Sequence, residues 1–134
     1  MLNDIYIEIQ KHLILLDAAL ASSAKIASHA RNLNLAALES ETDNRERLVN
    51  IIAQLQATVE TKANELDIYK LKQNELQVLR CWLQDLALWS EKMLIHDEET
   101  VECLNQQKEH TAKEISHVFK NKEMFKGYNH NLKD

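Results

Sequence analysis

The residues of this chain that could ligate a metal or attack an electrophile are six histidines (His12, His29, His96, His110, His117 and His130) and two cysteines, Cys81 and Cys103. Glu114 and His117 form a Glu-x-x-His step, the repeat used in helical di-iron sites. Such sites need two copies and two further inward carboxylates, and the sequence carries one copy. Glu99 and Cys103, one helical turn apart, are a weaker pair. His110 and His117 share one face of a helix, as residues on a solvated face do. Gly127 is the only glycine, so no glycine-rich loop can cradle a phosphate. No local signature makes a serine or cysteine a nucleophile. The chemistry on offer is therefore that of a non-enzymatic protein, with no catalytic residue, metal or cofactor expected.

What must position these residues is helix. The chain has no proline and one glycine in 134 residues, and its apolar content is mostly Leu, Ile, Ala and Val. Glycine and proline break regular structure, and Leu, Ala, Glu, Lys and Gln favour helices. The expected fold is all-α, an elongated antiparallel bundle of three to four long helices. Four are preferred, near 3–31, 35–60, 65–96 and 98–126; the alternative is three, with a long kinked last helix. Asn3 opens the first, whose stripe runs Ile5, Ile9, Leu13, Leu16, Leu20, Ala24 and Ala27. Asn32 suits a left-handed turn, and Asn34 a cap for the second helix. The second stripe is Leu38, then Leu48, Ile52, Leu55 and Val59, with the charged "ESETDNRER" between. Asn64 and Asp67 suggest a capped restart after a turn at 60–65. The third stripe is Leu66, Tyr69, Leu76, Leu79, Leu83, Leu86 and Met93. "HDEET" at 96–100 offers a further helix start at Asp97, and the last stripe is Val101, Leu104, Thr111, Ile115, Val118, Phe119 and Phe125.

Residues 1–126 are expected to form the bundle and 127–134 a short flexible tail. Gly127 reads as a helix C-cap, preceded by Lys120, Lys122 and Lys126 at the negative end of the dipole. The formal charge of −5 is concentrated in 39–102. No basic stripe argues for nucleic acid. The apolar runs are short and interrupted, so no membrane insertion is expected, and the N-terminus lacks the basic region of a signal peptide. Two lone thiols fit a reducing cytoplasm, both as small buried hydrophobes. Trp82 and Trp89, seven apart, serve either core packing or an exposed patch that receives a partner helix. Tyr128 either folds back on Phe125 or is presented outward as an anchor.

Three stretches resemble a known family. "NLNLAALESETDNRERLVNIIAQL" (32–55) is similar to the second helix of the flagellar type III export chaperones, the FliT/FlgN group. "IHDEETVECLNQQKEHTAKEI" (95–115) is similar to that group's last long helix, and "FKGYNHN" (125–131) to its tyrosine-bearing tail. The resemblance implies a small cytoplasmic chaperone. It would cover the terminal helices of a secreted flagellar subunit, either a cap or a hook–filament junction protein, and deliver it to the export gate. Helix-in-groove packing would do this, with Trp82, Trp89, Leu104, Ile115, Phe119 and Phe125 as candidate contacts. Tyr128 would dock on the gate's cytoplasmic domain. The rival reading is a structural or scaffold protein within a larger complex. The oligomeric state, a homodimer included, stays open.

Overall fold

A computed structural model describes the backbone of residues 2–133 and the side chains of residues 2–118 and 120. Helices α1 (Leu2–Arg31), α2 (Leu35–Asn64) and α3 (Gln73–Lys133) follow one another, with a 3-10 turn at Ile68–Lys70. No strand occurs among the described residues, so the all-α expectation holds. The helix count is three rather than the preferred four. Asp97 does not restart a helix: it lies within α3 and its carboxylate accepts from Arg45 at 2.8 Å. With no proline or glycine there, nothing interrupts the backbone ladder. The chain forms two units, Met1–Thr100 and Val101–Asp134. They are taken separately below.

The α1–α2 turn is built without glycine. The Asn34 amide donates to the His29 carbonyl at 3.0 Å and that of Leu33 to Ala30 at 3.3 Å, the paired bonds of a Schellman ending. The left-handed residue that this ending requires is Leu33 (φ 57°), not Asn32. Asn34 caps α2 as expected, its Oδ1 accepting from the Ala37 amide at 3.2 Å. The second connection lies later than the expected 60–65. Helix-forming residues carry α2 to Asn64, and the break spans 65–72. There the Asp67 carboxylate caps only the 3-10 turn, through the Tyr69 amide. Glu75 reaches back to the Lys72 amide at 2.8 Å, the reciprocal half of a capping box, and so begins α3.

Within the first unit, α1 buries Ile5, Ile9, His12, Leu16, Ala19, Ser23, Ile26 and Ala30. Those steps alternate four and three, the 3.5-residue period of left-handed helix packing. On α2, Ile52 and Val59 are buried seven apart. On α3, Trp82 and Met93 are buried, with Leu79, Leu86 and Trp89 packed beside them. Two clusters result. Ile5, Ile9, Val59 and Trp82 form one; Leu16, Ala19, Ile52 and Met93 form the other. Pairs such as His12–Trp82 and Ser23–Met93 advance together along α1 and α3, so these two run parallel. Arg45–Asp97 and Ser22–Glu41 place α2 antiparallel to both.

The α1 stripe differs from the expected one. Leu13 and Leu20 are only partly buried, while His12, Ala19 and Ser23 fill the seam. Nor is α1 interrupted enough to exclude a membrane by composition. An 18-residue window averages 1.2 in hydropathy, which makes α1 the one described helix long and apolar enough to cross a bilayer. In this fold 39% of that window is buried, while Ile7 and Ile14 stay exposed.

Candidate partner-binding surfaces

Trp82 and Trp89 sit seven residues apart on α3 and both turn toward α1. Trp82 is 4% exposed, and its indole N–H donates to His12 Nδ1 at 3.1 Å. Trp89 is half-buried and donates to the Leu16 carbonyl at 2.9 Å. A buried indole needs such an acceptor. The pair therefore packs helix on helix; Trp82 is core rather than an exposed patch. Each ring also borders an open depression. Trp82, Leu66, Ile68, Leu71, Leu76 and Leu79 line one of about 380 Å³ where α2, the 3-10 turn and α3 meet, with Glu60 and Asn64 as polar members. Trp89, Leu13, Leu20 and Leu88 line another of about 310 Å³ between α1 and α3, edged by Asp17, Asp85 and Lys92.

The far end of the first unit is polar. Arg45 pairs with Asp97 at 2.8 Å and Arg31 with Glu99 at 3.6 Å, so all three helices are tied by charge. His96 Nδ1 lies 3.8 Å from Glu99. Ser22 and Ser23 are buried, one donating to the Glu41 carbonyl at 3.4 Å and the other to Met93 Sδ at 3.3 Å. The Ser22 hydroxyl lowers the Glu41 carboxyl pKa, and Asn44, Lys25 and His29 add to the effect against the opposing cost of burial.

In the second unit α3 carries an apolar face whose described side chains are largely exposed. Val101 is 55% exposed, Ile115 and Val118 53% each, and Leu104 is partly buried. Steps of three, seven, four and three, passing through Thr111, place all four on one helical face. Lys108 falls in the same register. The side chains of the candidate contacts Phe119, Phe125 and Tyr128 lie outside the described residues. The α3 backbone runs on through Gly127 to Lys133, so the expected helix end near 126 with a Gly127 cap does not occur.

His110 Nε2 stands 3.0 Å from Glu114 Oε1 on a solvated face. No group of three or more candidate ligands gathers among the described residues. Cys81 is exposed and Cys103 partly buried, so neither is the fully buried hydrophobe expected. Ser22, Ser23 and Arg45 were not singled out from sequence, and His12 was named only as one of six histidines, not as a seam residue. The signal that could have found His12, Ser23 and Arg45 is the 3.5-residue spacing they share with Leu16 and Ile52. No family model, curated protein or solved structure matches the chain.

Proposed function

We propose that this protein is an export chaperone that holds an amphipathic helix of a secreted flagellar subunit against the Val101–Val118 face of α3. The observation that carries the proposal is the half-exposed row Val101, Ile115 and Val118, with Leu104 in the same register. Single exposed apolar residues are ordinary, but a row at helical spacing suits a second helix. Covering it would remove about half the surface of each side chain from water. Full burial of a Val or Ile is worth about 1.5–3 kcal/mol. Roughly four half-burials thus offer several kcal/mol before ordering costs, which favours release as well as capture.

The fold supports the reading in a second way. The first unit has its own core, so the apolar face beyond Thr100 is not needed to complete it. The resemblance of 32–55, 95–115 and 125–131 to the FliT/FlgN chaperones supplies the class of client. It also supplies the role of Tyr128 as an anchor for the export gate. The test is titration of the full chain with peptides spanning the terminal helices of late-exported flagellar subunits, and separately with the gate's cytoplasmic domain. Client peptides bind in the micromolar range or tighter, and Tyr128→Ala weakens the gate interaction alone. Failure of every client peptide, together with a large stable oligomer at low concentration, would favour the scaffold reading instead.

A further inference from the structure

His12 occupies a seam position of α1 that an aliphatic side chain would ordinarily fill, and it is 0% exposed. Its Nδ1 accepts the Trp82 indole N–H at 3.1 Å, and the two rings meet edge to face with centroids 5.5 Å apart. An imidazole nitrogen that accepts a hydrogen bond bears no proton. The ring is therefore neutral, with its hydrogen on Nε2. That Nε2 is buried and meets no acceptor among the described residues. Burial lowers the His12 pKa from its ordinary 6.5, and the carboxylate of Glu60 on α2 works in the opposite direction. Among the charged groups of the packed helices, Glu60 is the one that acts on His12; from α3 the ring faces the Trp82 indole.

We propose that His12 and Trp82 form a proton-operated latch, which holds the first turns of α3 on α1 and lets them go on acidification. A proton taken from solvent by Nδ1 converts the acceptor into a donor. Two N–H groups then oppose each other and the inter-helix bond is lost, with no covalent bond made or broken. The new imidazolium is attracted to Glu60, which draws it toward α2. Trp82 is also a wall of the depression bounded by Leu66, Leu71 and Leu79. Freeing its indole therefore changes the shape of that depression.

The direction follows from linkage. The folded state holds this proton less tightly than the unfolded state. The latch is fully closed above pH 6.5, weakens as pH falls below that value, and is open once pH has passed through the lowered folded pKa. The Glu41 carboxyl, itself held below its ordinary 4.5, responds only at lower pH. The proposal does not depend on the function proposed above.

The test uses the intact chain. Imidazole nitrogen chemical shifts of His12 are followed from neutral to mildly acidic pH, together with the Trp82 indole N–H resonance. The expected result is the Nε2–H tautomer at neutral pH, a His12 midpoint below 6.5, and loss of the hydrogen-bonded Trp82 resonance at that same midpoint. An ordinary or raised midpoint overturns the proposal, as does a Trp82 resonance unmoved when His12 charges. His12→Gln, whose amide oxygen can accept the indole N–H and cannot titrate, gives the second readout. It is expected to abolish the Trp82 transition, and an unchanged transition in that variant would also overturn the latch. The parent-chain titration decides the matter alone if the variant does not fold.

Discussion

Leu33→Gly is expected to stabilise the protein. Leu33 is the one non-glycine residue with positive φ among the described residues, at 57°. The left-handed region costs an L-residue about 1–2 kcal/mol, because Cβ crowds the following carbonyl. Glycine has no Cβ and removes that cost. Two terms oppose the gain. Glycine adds freedom to the unfolded chain, worth about 0.5–1 kcal/mol. The Leu33 side chain also loses its contacts, but it is already 52% exposed, so little burial is forfeited. The net is a gain of about 0.5–1 kcal/mol. For a cooperative unit of this size that raises Tm by roughly 2–6 °C. Urea unfolding followed by far-UV circular dichroism should show a higher midpoint with an unchanged m-value. A variant less stable than the parent would refute the reasoning. Leu33 would then be held by packing rather than tolerated for the backbone bonds that Asn34 and Leu33 make to α1.

Asn34→Ala removes the acceptor of the Ala37 amide and is expected to cost about 1 kcal/mol in the same unfolding assay. Val59→Ala empties part of the Ile5–Ile9–Trp82 cluster, where Val59 is 0% exposed; a loss of about 2 kcal/mol is expected by the cost of truncating core side chains. Arg45→Ala breaks a pair whose members are 27% and 40% exposed. Solvent screening limits its effect to about 1 kcal/mol or less, so raising the salt concentration should narrow the gap to the parent. As pH falls below 6.5, the contribution that depends on neutral His12 should decline through the lowered folded pKa. Unfolding midpoints measured across that range check the sign, and stability that rises on acidification would contradict it.

Helix was legible throughout because the evidence for it is compositional. With one glycine and no proline, few places existed for a chain break. The Asn32–Asn34 turn was legible for the same reason, although the left-handed residue within it was not. Backbone geometry set by two Schellman bonds overrode the side-chain preference that favoured Asn32. The α1 seam was legible at Ile5, Ile9, Leu16 and Ala27, which are buried, and misread by one position at Leu13 and Leu20. An apolar stripe was traced through Leu13 and Leu20, whereas the packing period runs through His12 and Ala19. Polar residues at seam positions hide a 3.5-residue repeat from any reading that counts only apolar residues. Asp97 was misread for a related reason. Acids at 97–99 mimic a helix start, but Asp97 and Glu99 serve Arg45 and Arg31 on the neighbouring helices. The tryptophans were legible as a pair on one face, while their acceptors on α1 lie about seventy residues away and leave no local trace. Val101, Leu104, Ile115 and Val118 were legible as one helical face, because periodicity alone defines it.

The central claim is that this face receives an amphipathic helix. Its most direct test is the affinity of the full chain for a client terminal-helix peptide, compared with that of Ile115→Asp. Ile115 is 53% exposed and outside the first unit's core, so the substitution should leave helicity and the unfolding midpoint nearly unchanged. A charge placed in the docking row is expected to cost at least about 2 kcal/mol of binding, a loss of roughly thirtyfold in Kd. Equal affinity of parent and Ile115→Asp for a peptide that binds the parent would contradict the account and place the binding surface elsewhere on the molecule.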